Sequence, residues 1–298
     1  MPYVITLIAA PDHPVIDDAM VDWAGGSTGV PYRVDWLKHR SAVDIFLDAS
    51  VSPSPLIQRL ERHLVGQKVD FALHSTLRRR KKLLIADMDS TMIGQECIDE
   101  LADYVGMKDE VADITARAMN GELPFEPALQ ERVALLKGLE VEAIDTVLKD
   151  RITLAPGGPQ LLATMKQHGA HCALVSGGFT HFTKAIAGRL GFDEHHANTL
   201  LTRSGKLTGK VKEPILGREA KVEALNRLVA TLGITHRETL AVGDGANDLG
   251  MIRLSGMGVA LHAKPAVAAE AEISINHGDL ESLLYLQGYR EDEIVFPN

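Results

Sequence analysis

The chain has 298 residues, of which 45% are hydrophobic and 24% charged, so it has enough apolar material for a sizeable core and is not a disordered or low-complexity protein. Its 31 basic and 40 acidic side chains give a net charge of -9, which argues against non-specific binding to nucleic acid or anionic membranes but leaves a local basic pocket open. The length suits two domains. With two cysteines, no secretory signal pattern and no long apolar run, the sequence predicts a cytoplasmic protein.

Residues 1–77 alternate between strand and helix patterns. Strands are predicted at 3–10, 32–37, 42–49 and 69–73. Apolar residues at helical spacing predict two helices, at 14–24 through Val15, Ala19 and Trp23, and at 55–65 through Leu56, Leu60 and Leu64. The order βαββαβ predicts a ferredoxin-like α+β domain. This architecture resembles ACT-type amino-acid-sensing domains, which implies a homodimer and serine as a regulatory ligand.

A run of basic residues follows, Arg78-Arg79-Arg80-Lys81-Lys82. We interpret it as a solvated linker and not as a nucleic-acid-binding signal, because no aromatic residues interleave and the chain as a whole is acidic. The linker predicts a domain boundary, with an ACT-like regulatory domain over 1–77 and a second domain over 78–298.

The second domain has the pattern of an α/β protein. Short apolar runs typical of buried parallel strands occur at 83–86, 172–175, 240–242 and 258–261. Segments with a helical period lie between them, at 159–168, 180–190 and 218–232. This alternation predicts a doubly wound parallel sheet. The mostly helical stretch at about 95–155 is longer than one crossover requires, so it predicts an inserted helical cap.

Polar residues follow three of these strands. They are Asp87-Met88-Asp89-Ser90-Thr91, Ser176-Gly177-Gly178 and Gly243-Asp244-Gly245-Ala246-Asn247-Asp248. Met92 and Ile98 exclude an EF-hand, which needs Gly and Glu there, and Asp248 stands where a dinucleotide fingerprint needs its third glycine. Each motif alone could be a simple turn. Because parallel strands bring such residues to one edge of the sheet, three together indicate a functional site.

These motifs, taken in order with Lys221, resemble the haloacid-dehalogenase superfamily of phosphatases. Glu96, Met119-Asn120-Gly121 leading to Phe125, and Glu131-Arg132-Val133 resemble the phosphoserine phosphatase family within it. The resemblance covers about residues 83–275. It implies a haloacid-dehalogenase-like fold and a Mg²⁺-dependent phosphatase that hydrolyses the small-molecule substrate O-phosphoserine through an aspartyl phosphate, with neither a nucleic-acid nor a membrane partner.

The resemblance also implies roles for the matching residues. Asp87 would be the nucleophile, and Asp89 the general acid and then the general base. Mg²⁺ would be held by Asp87, Asp244 and the backbone carbonyl of Asp89, with Asp248 supporting this set. The phosphoryl group would be bound by Ser176, the amide of Gly177, Lys221 and Asn247. The ammonium and carboxylate of the substrate would pair with Glu96 and Arg132, under Met119 and Phe125.

Two other functions stay open at this stage. One is a phosphatase or phosphotransferase acting on another small phosphomonoester. The other is an amino-acid sensor with an inert phosphatase domain, against which the presence of Asp87, Asp89, Lys221 and Asp244 argues. The 12 histidines form no motif typical of a zinc site, and His195-His196 is predicted to lie in a loop.

Overall fold

The computed structural model describes residues 3–48, 51–119 and 122–297. The first part contains β1 (Tyr3–Ala9), α1 (Asp18–Gly26), β2 (Tyr32–Lys38), β3 (Ala42–Leu47), α2 (Pro53–Leu64) and β4 (Val69–Ser75). The strands form one antiparallel sheet of order β2-β3-β1-β4, covered by helices that bury Leu56, Leu60 and Leu64. The predicted βαββαβ order is therefore confirmed.

Helix α1 differs from its prediction in both its start and its buried face. It begins at Asp18, because the side chain of Asp17 caps it by accepting a hydrogen bond from the Met20 N–H at 2.8 Å. Val21 and Ala24 face the core, whereas Ala19 is exposed. The predicted apolar stripe was therefore wrong at Ala19, because it assumed a helix that began before its cap, whereas Val15 and Trp23 are half-buried against the core as expected.

The rest of the chain alternates strands and helices. In order these are β5 (Leu83–Ala86), α3 (Cys97–Tyr104), α4 (Lys108–Met119), α5 (Phe125–Leu135), α6 (Glu142–Asp150), α7 (Gly158–Gln167), β6 (His171–Phe179), α8 (Thr180–Leu190), β7 (Glu194–Asn198), β8 (Leu200–Arg203), β9 (Lys206–Val211), α9 (Arg218–Leu232), β10 (Thr239–Gly243), α10 (Leu249–Leu254), β11 (Met257–Leu261), α11 (Pro265–Ala268), β12 (Ile273–Ile275) and α12 (Ser282–Leu286). Two short 3₁₀ helices lie at His236–Glu238 and Glu291–Glu293.

Six of these strands form a parallel sheet of order β12-β11-β10-β5-β6-β7. Alternate residues of β5 enter different cores: Leu84 packs on the side of α7 and α8, and Leu83 and Ile85 pack against α9. Because helices cover both faces, the inner strands need apolar residues at every position, which explains their unbroken apolar runs. The predicted doubly wound sheet is confirmed.

Helices α3 to α6 lie between β5 and β6, as expected for a helical insertion. Apolar residues of α5 and α6, including Leu129, Val133 and Val147, pack into the larger core of the sheet domain. An isolated bridge between Ile93 and Leu154 joins the segments that lead into and out of the insertion. Among the residues described, no helix is both long and apolar enough to cross a bilayer.

Strands β7, β8 and β9 were not predicted. His195 and His196, expected in a loop, lie in β7 at the edge of the parallel sheet. The antiparallel pair β8–β9 packs against α5, where a Cβ on Gly209 would lie 2.9 Å from Lys137 Cβ and 3.3 Å from the Ala134 carbonyl oxygen. These strands lie at edges and carry polar residues at many of their positions, so they lack the unbroken apolar runs of the inner strands.

The basic run is a solvated linker only in part: Arg78, Arg80 and Lys82 are exposed, whereas Arg79 and Lys81 are buried, which corrects the prediction for these two residues. The Arg79 side chain is 9% exposed and forms an ion pair with Asp44, in which its Nη2 lies 2.7 Å from Oδ1. Lys81 is also buried, and its Nζ donates to the Arg237 carbonyl at 2.8 Å. The sequence shows the charges but not their acceptors, which lie far away along the chain. The segment is therefore an internal contact between the antiparallel and the parallel sheet regions.

Candidate active site

The polar strand ends identified in the sequence meet at one edge of the parallel sheet. Strand β5 lies between β10 and β6, and all three run parallel. Asp87 follows β5 and continues its ladder, because its N–H donates to the Val242 carbonyl at 3.0 Å. Asp244 follows β10, and Ser176 lies in the last part of β6. The fold therefore brings these three motifs to a common edge.

Lys221 lies at the centre of this edge. Helix α9 buries Lys221, Ala224, Leu225 and Leu228 on the face that is turned to the sheet, which places the lysine under the strand ends. Its Nζ is 2.8 Å from Asp87 Oδ1 and 2.5 Å from Asp248 Oδ1. Burial would lower the pKa of Lys221, but Asp248 and Asp87 together hold it above its ordinary value. The ammonium is therefore charged at neutral pH.

Asp87, Asp244 and Asp248 form a carboxylate cluster, with one oxygen of each within 4.8 Å of the others. Burial raises the pKa of Asp87 well above its usual range, and Asp248 and Asp244 raise it further against the effect of Lys221. Burial, Asp248 and Glu96 raise the pKa of Asp244 to about 6. Three carboxylates around one ammonium leave excess negative charge, and hard oxygen donors suit a divalent metal ion. The residues therefore fit a metal site.

Asp89 lies beside this cluster and is held at both oxygens. Oδ1 accepts a hydrogen bond from the Cys97 N–H at 3.0 Å, and Oδ2 is 3.5 Å from the Ser176 hydroxyl. Burial and the Glu96 charge raise the pKa of Asp89 to about 7. A Cβ on Gly178 would lie 2.7 Å from Oδ2, so only glycine allows the carboxyl this close to β6. Asp89 can therefore both hold and release a proton near neutral pH.

The segment around Ser176 and Gly177 is fixed by its neighbours. Ser176 Oγ accepts a hydrogen bond from the Gly178 N–H at 2.9 Å. The Gly177 carbonyl accepts one from Asn198 Nδ2 at 2.8 Å, and Asn198 also binds the backbone of Leu216 through both of its amide atoms. Asn198 is buried at the end of β7. Sequence reasoning missed this residue, because no motif marks it.

The cap supplies the remaining residues with predicted roles. Glu96, at the start of α3, is exposed and accepts a hydrogen bond from the Ser90 hydroxyl at 2.7 Å. The half-buried Arg132 on α5 donates from Nε to the Ala128 carbonyl at 3.3 Å, and from Nη1 to the Thr115 hydroxyl at 3.4 Å. Burial lowers the pKa of Arg132, against the opposing charges of Asp99, Glu96 and Asp89. Both residues thus lie on cap helices, and Arg132 is held by two long hydrogen bonds.

Phe125 and Asn247 lie close to the strand-end motifs. A Cβ on Gly177 would be 3.2 Å from the Phe125 ring, so this ring covers the glycine. Asn247 lies in the loop after β10, where its Oδ1 would be 2.3 Å from a Cβ on Gly245. Of the predicted segment 119–121, residues 120 and 121 and the side chain of residue 119 lie outside the described part. The roles of all these residues stay predictions.

A carboxylate cluster around a buried lysine, at the carboxyl edge of a doubly wound sheet with a helical insertion, suits an α/β-fold enzyme that transfers phosphoryl groups. A family model described as haloacid dehalogenase-like hydrolase matches residues 84–253, and the chain belongs to this family. The chain is 38% identical over 295 residues to a phosphoserine phosphatase of Streptomyces coelicolor. The aligned region covers 97% of this chain and 72% of that protein.

Solved structures agree with this assignment. A family hydrolase from Salmonella enterica serovar Typhi superposes with a TM-score of 0.86 at 30% identity, covering 96% of this chain and 98% of the other. A phosphoserine phosphatase determined as a phospho-aspartyl intermediate analogue superposes with a TM-score of 0.65 at 40% identity, covering 71% of this chain and all (100%) of the other. The second structure covers a smaller share of this chain than the first.

Proposed function

We propose that this chain is a Mg²⁺-dependent phosphatase that hydrolyses O-phosphoserine to serine and phosphate through an aspartyl phosphate on Asp87. The observation that carries the proposal is the arrangement of Asp87 against Lys221, with Asp89 and Ser176 in hydrogen-bond contact beside it. The relatives of matching sequence support the substrate, since the Streptomyces protein is a phosphoserine phosphatase.

Asp87 is the nucleophile. Its Oδ1 accepts hydrogen bonds from the Met88 N–H and from Lys221, each at 2.8 Å. Because Oδ1 is engaged by these two donors, we assign the attack on phosphorus to Oδ2. The new bond joins Asp87 to phosphorus, and the bond from phosphorus to the serine oxygen breaks.

Asp89 moves the proton in both halves of the reaction. As a carboxylic acid it donates its proton to the departing serine oxygen. The resulting carboxylate then takes a proton from a water molecule, whose oxygen attacks phosphorus and releases phosphate from Asp87. A pKa of about 7 suits both tasks near neutral pH, because an acid and a base of this strength are both present.

The transferred phosphoryl group needs positive charge and N–H donors around its oxygens. Lys221 supplies the charge, and the Ser176 hydroxyl, the Gly177 amide and Asn247 supply hydrogen bonds. Asn198 donates a hydrogen bond from its side-chain amide to the Gly177 carbonyl, which fixes the direction of this loop. Its role is therefore to position the donors without contacting the substrate.

Mg²⁺ is the metal that best suits the carboxylate cluster. Asp87, Asp244 and the backbone carbonyl of Asp89 would hold it, and Asp248 supports the set through its contact with Lys221. When bound, the ion neutralises negative charge between a carboxylate nucleophile and a phosphate dianion. The excess of carboxylates over cations in the cluster supports this assignment.

Specificity for phosphoserine comes from the cap. The substrate carries an ammonium and a carboxylate beyond its phosphate, and Glu96 and Arg132 offer one group of opposite charge for each. Phe125, which covers Gly177, closes the pocket on the phosphate side.

The N-terminal region completes the proposal. Its four-stranded antiparallel sheet supports an ACT-like regulatory domain over 1–77, with the catalytic domain over 78–298 and its cap at about 95–155. Serine is the proposed regulatory ligand and a homodimer the proposed assembly. Two buried free cysteines, Cys97 and Cys172, suit a reducing cytoplasm.

A phosphate-release assay tests the activity. The full chain is incubated with Mg²⁺ and a panel that contains O-phosphoserine, phosphoethanolamine, a sugar phosphate and a nucleoside monophosphate. We expect O-phosphoserine to give the highest kcat/KM, with no release when EDTA is added or when Asp87→Asn replaces the wild type. A higher kcat/KM for another phosphoester would contradict the substrate assignment, and full activity of Asp87→Asn would contradict the mechanism.

A further inference from the structure

Asp99 has a buried carboxylate oxygen that nothing in the proposed mechanism uses. It lies in the first turn of α3, one helical turn after Glu96. Its Oδ1 is shielded from solvent and has no hydrogen-bond partner among the described residues. Leaving a buried carboxylate oxygen unpaired is costly, so such an atom is expected to have a partner in some functional state.

The cation whose charge acts most strongly on Asp99 is Arg132 on the neighbouring helix α5, although the two side chains are not in ion-pair contact in the structure. Burial and the Glu96 charge raise the pKa of Asp99, and the charge of Arg132 opposes this rise. Among the charges around Arg132, that of Asp99 has the strongest effect on its pKa. Helices α3 and α5 pack against each other, and Ile98 and Leu101 of α3 lie in the same apolar core as Leu129 of α5. The pair therefore lies on two packed helices of the cap.

The guanidinium of Arg132 is loosely held without such a partner. A guanidinium has five N–H donors. Arg132 uses two of them in hydrogen bonds of 3.3 and 3.4 Å to Ala128 and Thr115, which are longer than the usual N–H···O distance of about 2.7–3.2 Å. A guanidinium that binds a carboxylate through two parallel hydrogen bonds must lie in the plane of that carboxylate. A further contact to another edge of the guanidinium is therefore needed to fix its orientation.

We propose that Asp99 is a positioning residue, whose free oxygen binds one edge of the Arg132 guanidinium and turns the other edge toward the substrate carboxylate. The inference rests on the proposed function, because it assumes that Arg132 binds this carboxylate. Asp99 acts through Arg132 and does not touch the substrate. An alternative contact, between Asp99 and the substrate ammonium, predicts a different response to substrates that lack the carboxylate.

The test measures KM and kcat of the full chain with O-phosphoserine and with phosphoethanolamine, which keeps the ammonium but has no carboxylate. We expect Asp99→Asn to raise KM for O-phosphoserine about tenfold, with kcat changed by less than about twofold. KM for phosphoethanolamine should not change. Asp99→Ser, a second variant without the carboxylate, should show the same contrast. Asp109→Asn, which removes an exposed carboxylate from the neighbouring helix α4, is the matched control and should behave as wild type.

A double-mutant cycle with Arg132→Ala separates a positioning role from a structural one. In the Arg132→Ala background, Asp99→Asn should change KM for O-phosphoserine by less than about twofold. A full tenfold effect in that background, or equal losses on both substrates, would overturn the inference. Failure of the wild type to hydrolyse O-phosphoserine would instead overturn the proposed function, and this inference with it.

Discussion

Replacing Arg79 by methionine tests whether the basic run is a buried contact between the two sheet regions. Arg79 donates to the Thr6 hydroxyl at 2.9 Å and to the carbonyls of Leu286 at 2.7 Å and Tyr285 at 3.0 Å, in addition to its ion pair with Asp44. Asp44 lies in β3 and is only 1% exposed. Methionine keeps an unbranched apolar stem but removes the guanidinium and with it every donor.

The magnitude follows from what is left behind. Without Arg79, the Asp44 carboxylate keeps the Thr6 hydroxyl, at 2.8 Å, but loses its counter-ion in a site that water does not reach. Breaking one side of a buried ion pair costs about 3–5 kcal/mol. This is a large share of a typical free energy of unfolding of about 5–15 kcal/mol, and it lowers Tm by on the order of 10 °C.

Urea unfolding followed by circular dichroism measures this cost. Arg78→Met is the matched control, because Arg78 is 56% exposed and its distance to Glu238 is 3.6 Å, so its loss should cost less than about 1 kcal/mol. The double variant Arg79→Met with Asp44→Leu should recover part of the stability, because no unpaired charge remains. If Arg79→Met is as stable as Arg78→Met, the buried-contact interpretation is wrong.

Three further predictions concern pH, specificity and the catalytic acid. Burial and the Arg79 charge lower the pKa of His74 to about 3, so His74 stays neutral in the folded protein at neutral pH. The stability that the neutral His74 contributes is complete above about pH 6.5 and is lost as the pH falls toward 3. At about pH 5 we expect the free energy of unfolding, measured with urea, to be about 2 kcal/mol lower. Arg132→Ala should lower kcat/KM for O-phosphoserine by roughly 30- to 150-fold, because loss of a half-buried charge pair costs about 2–3 kcal/mol; phosphoethanolamine should be affected far less. Gly178→Ala should lower kcat at least about tenfold, since the new Cβ would lie 2.7 Å from Asp89 Oδ2 and must displace this carboxyl.

Each of these three predictions has a control or an outcome that would contradict it. His74→Gln should remove the His74 part of the acid destabilisation, and an unchanged pH slope would contradict the His74 assignment. Equal losses of Arg132→Ala on both substrates would make Arg132 a structural residue. Gly188→Ala on α8, where no atom lies within 4 Å of the new Cβ, should keep full activity. Gly178→Ala with wild-type kcat would show that Asp89 does not need its observed position.

The inner part of the parallel sheet was predictable, and its edges were not. Strands buried on both faces need apolar residues throughout, so their runs stand out, and helix α9 was predicted with the bounds it has, Arg218–Leu232. Edge strands lack this signal: β7 begins Glu194-His195-His196 and reads as a loop. Polar edge strands have no apolar run of their own, so a local sequence pattern does not distinguish them from loops.

The same limit applies to the site. The residues of the Asp87, Ser176 and Asp244 motifs could be found because each directly follows or ends a predicted strand. Asn198, which holds the Gly177 peptide, and Asp99, which lies in the first turn of α3, have no such marker. The burial of Arg79 was missed because the sequence of a basic run does not show whether its side chains are solvated or bound to buried acceptors. Only the three-dimensional partners distinguish these cases.

The central claim is that Asp87 carries the phosphoryl group during turnover. The wild-type chain is quenched with acid while it turns over O-phosphoserine with Mg²⁺, and its peptides are analysed by mass spectrometry. We expect one phosphoryl group on Asp87, and none on any peptide of Asp87→Asn. A phosphoryl group on a different residue, or steady turnover by Asp87→Asn, would contradict the account.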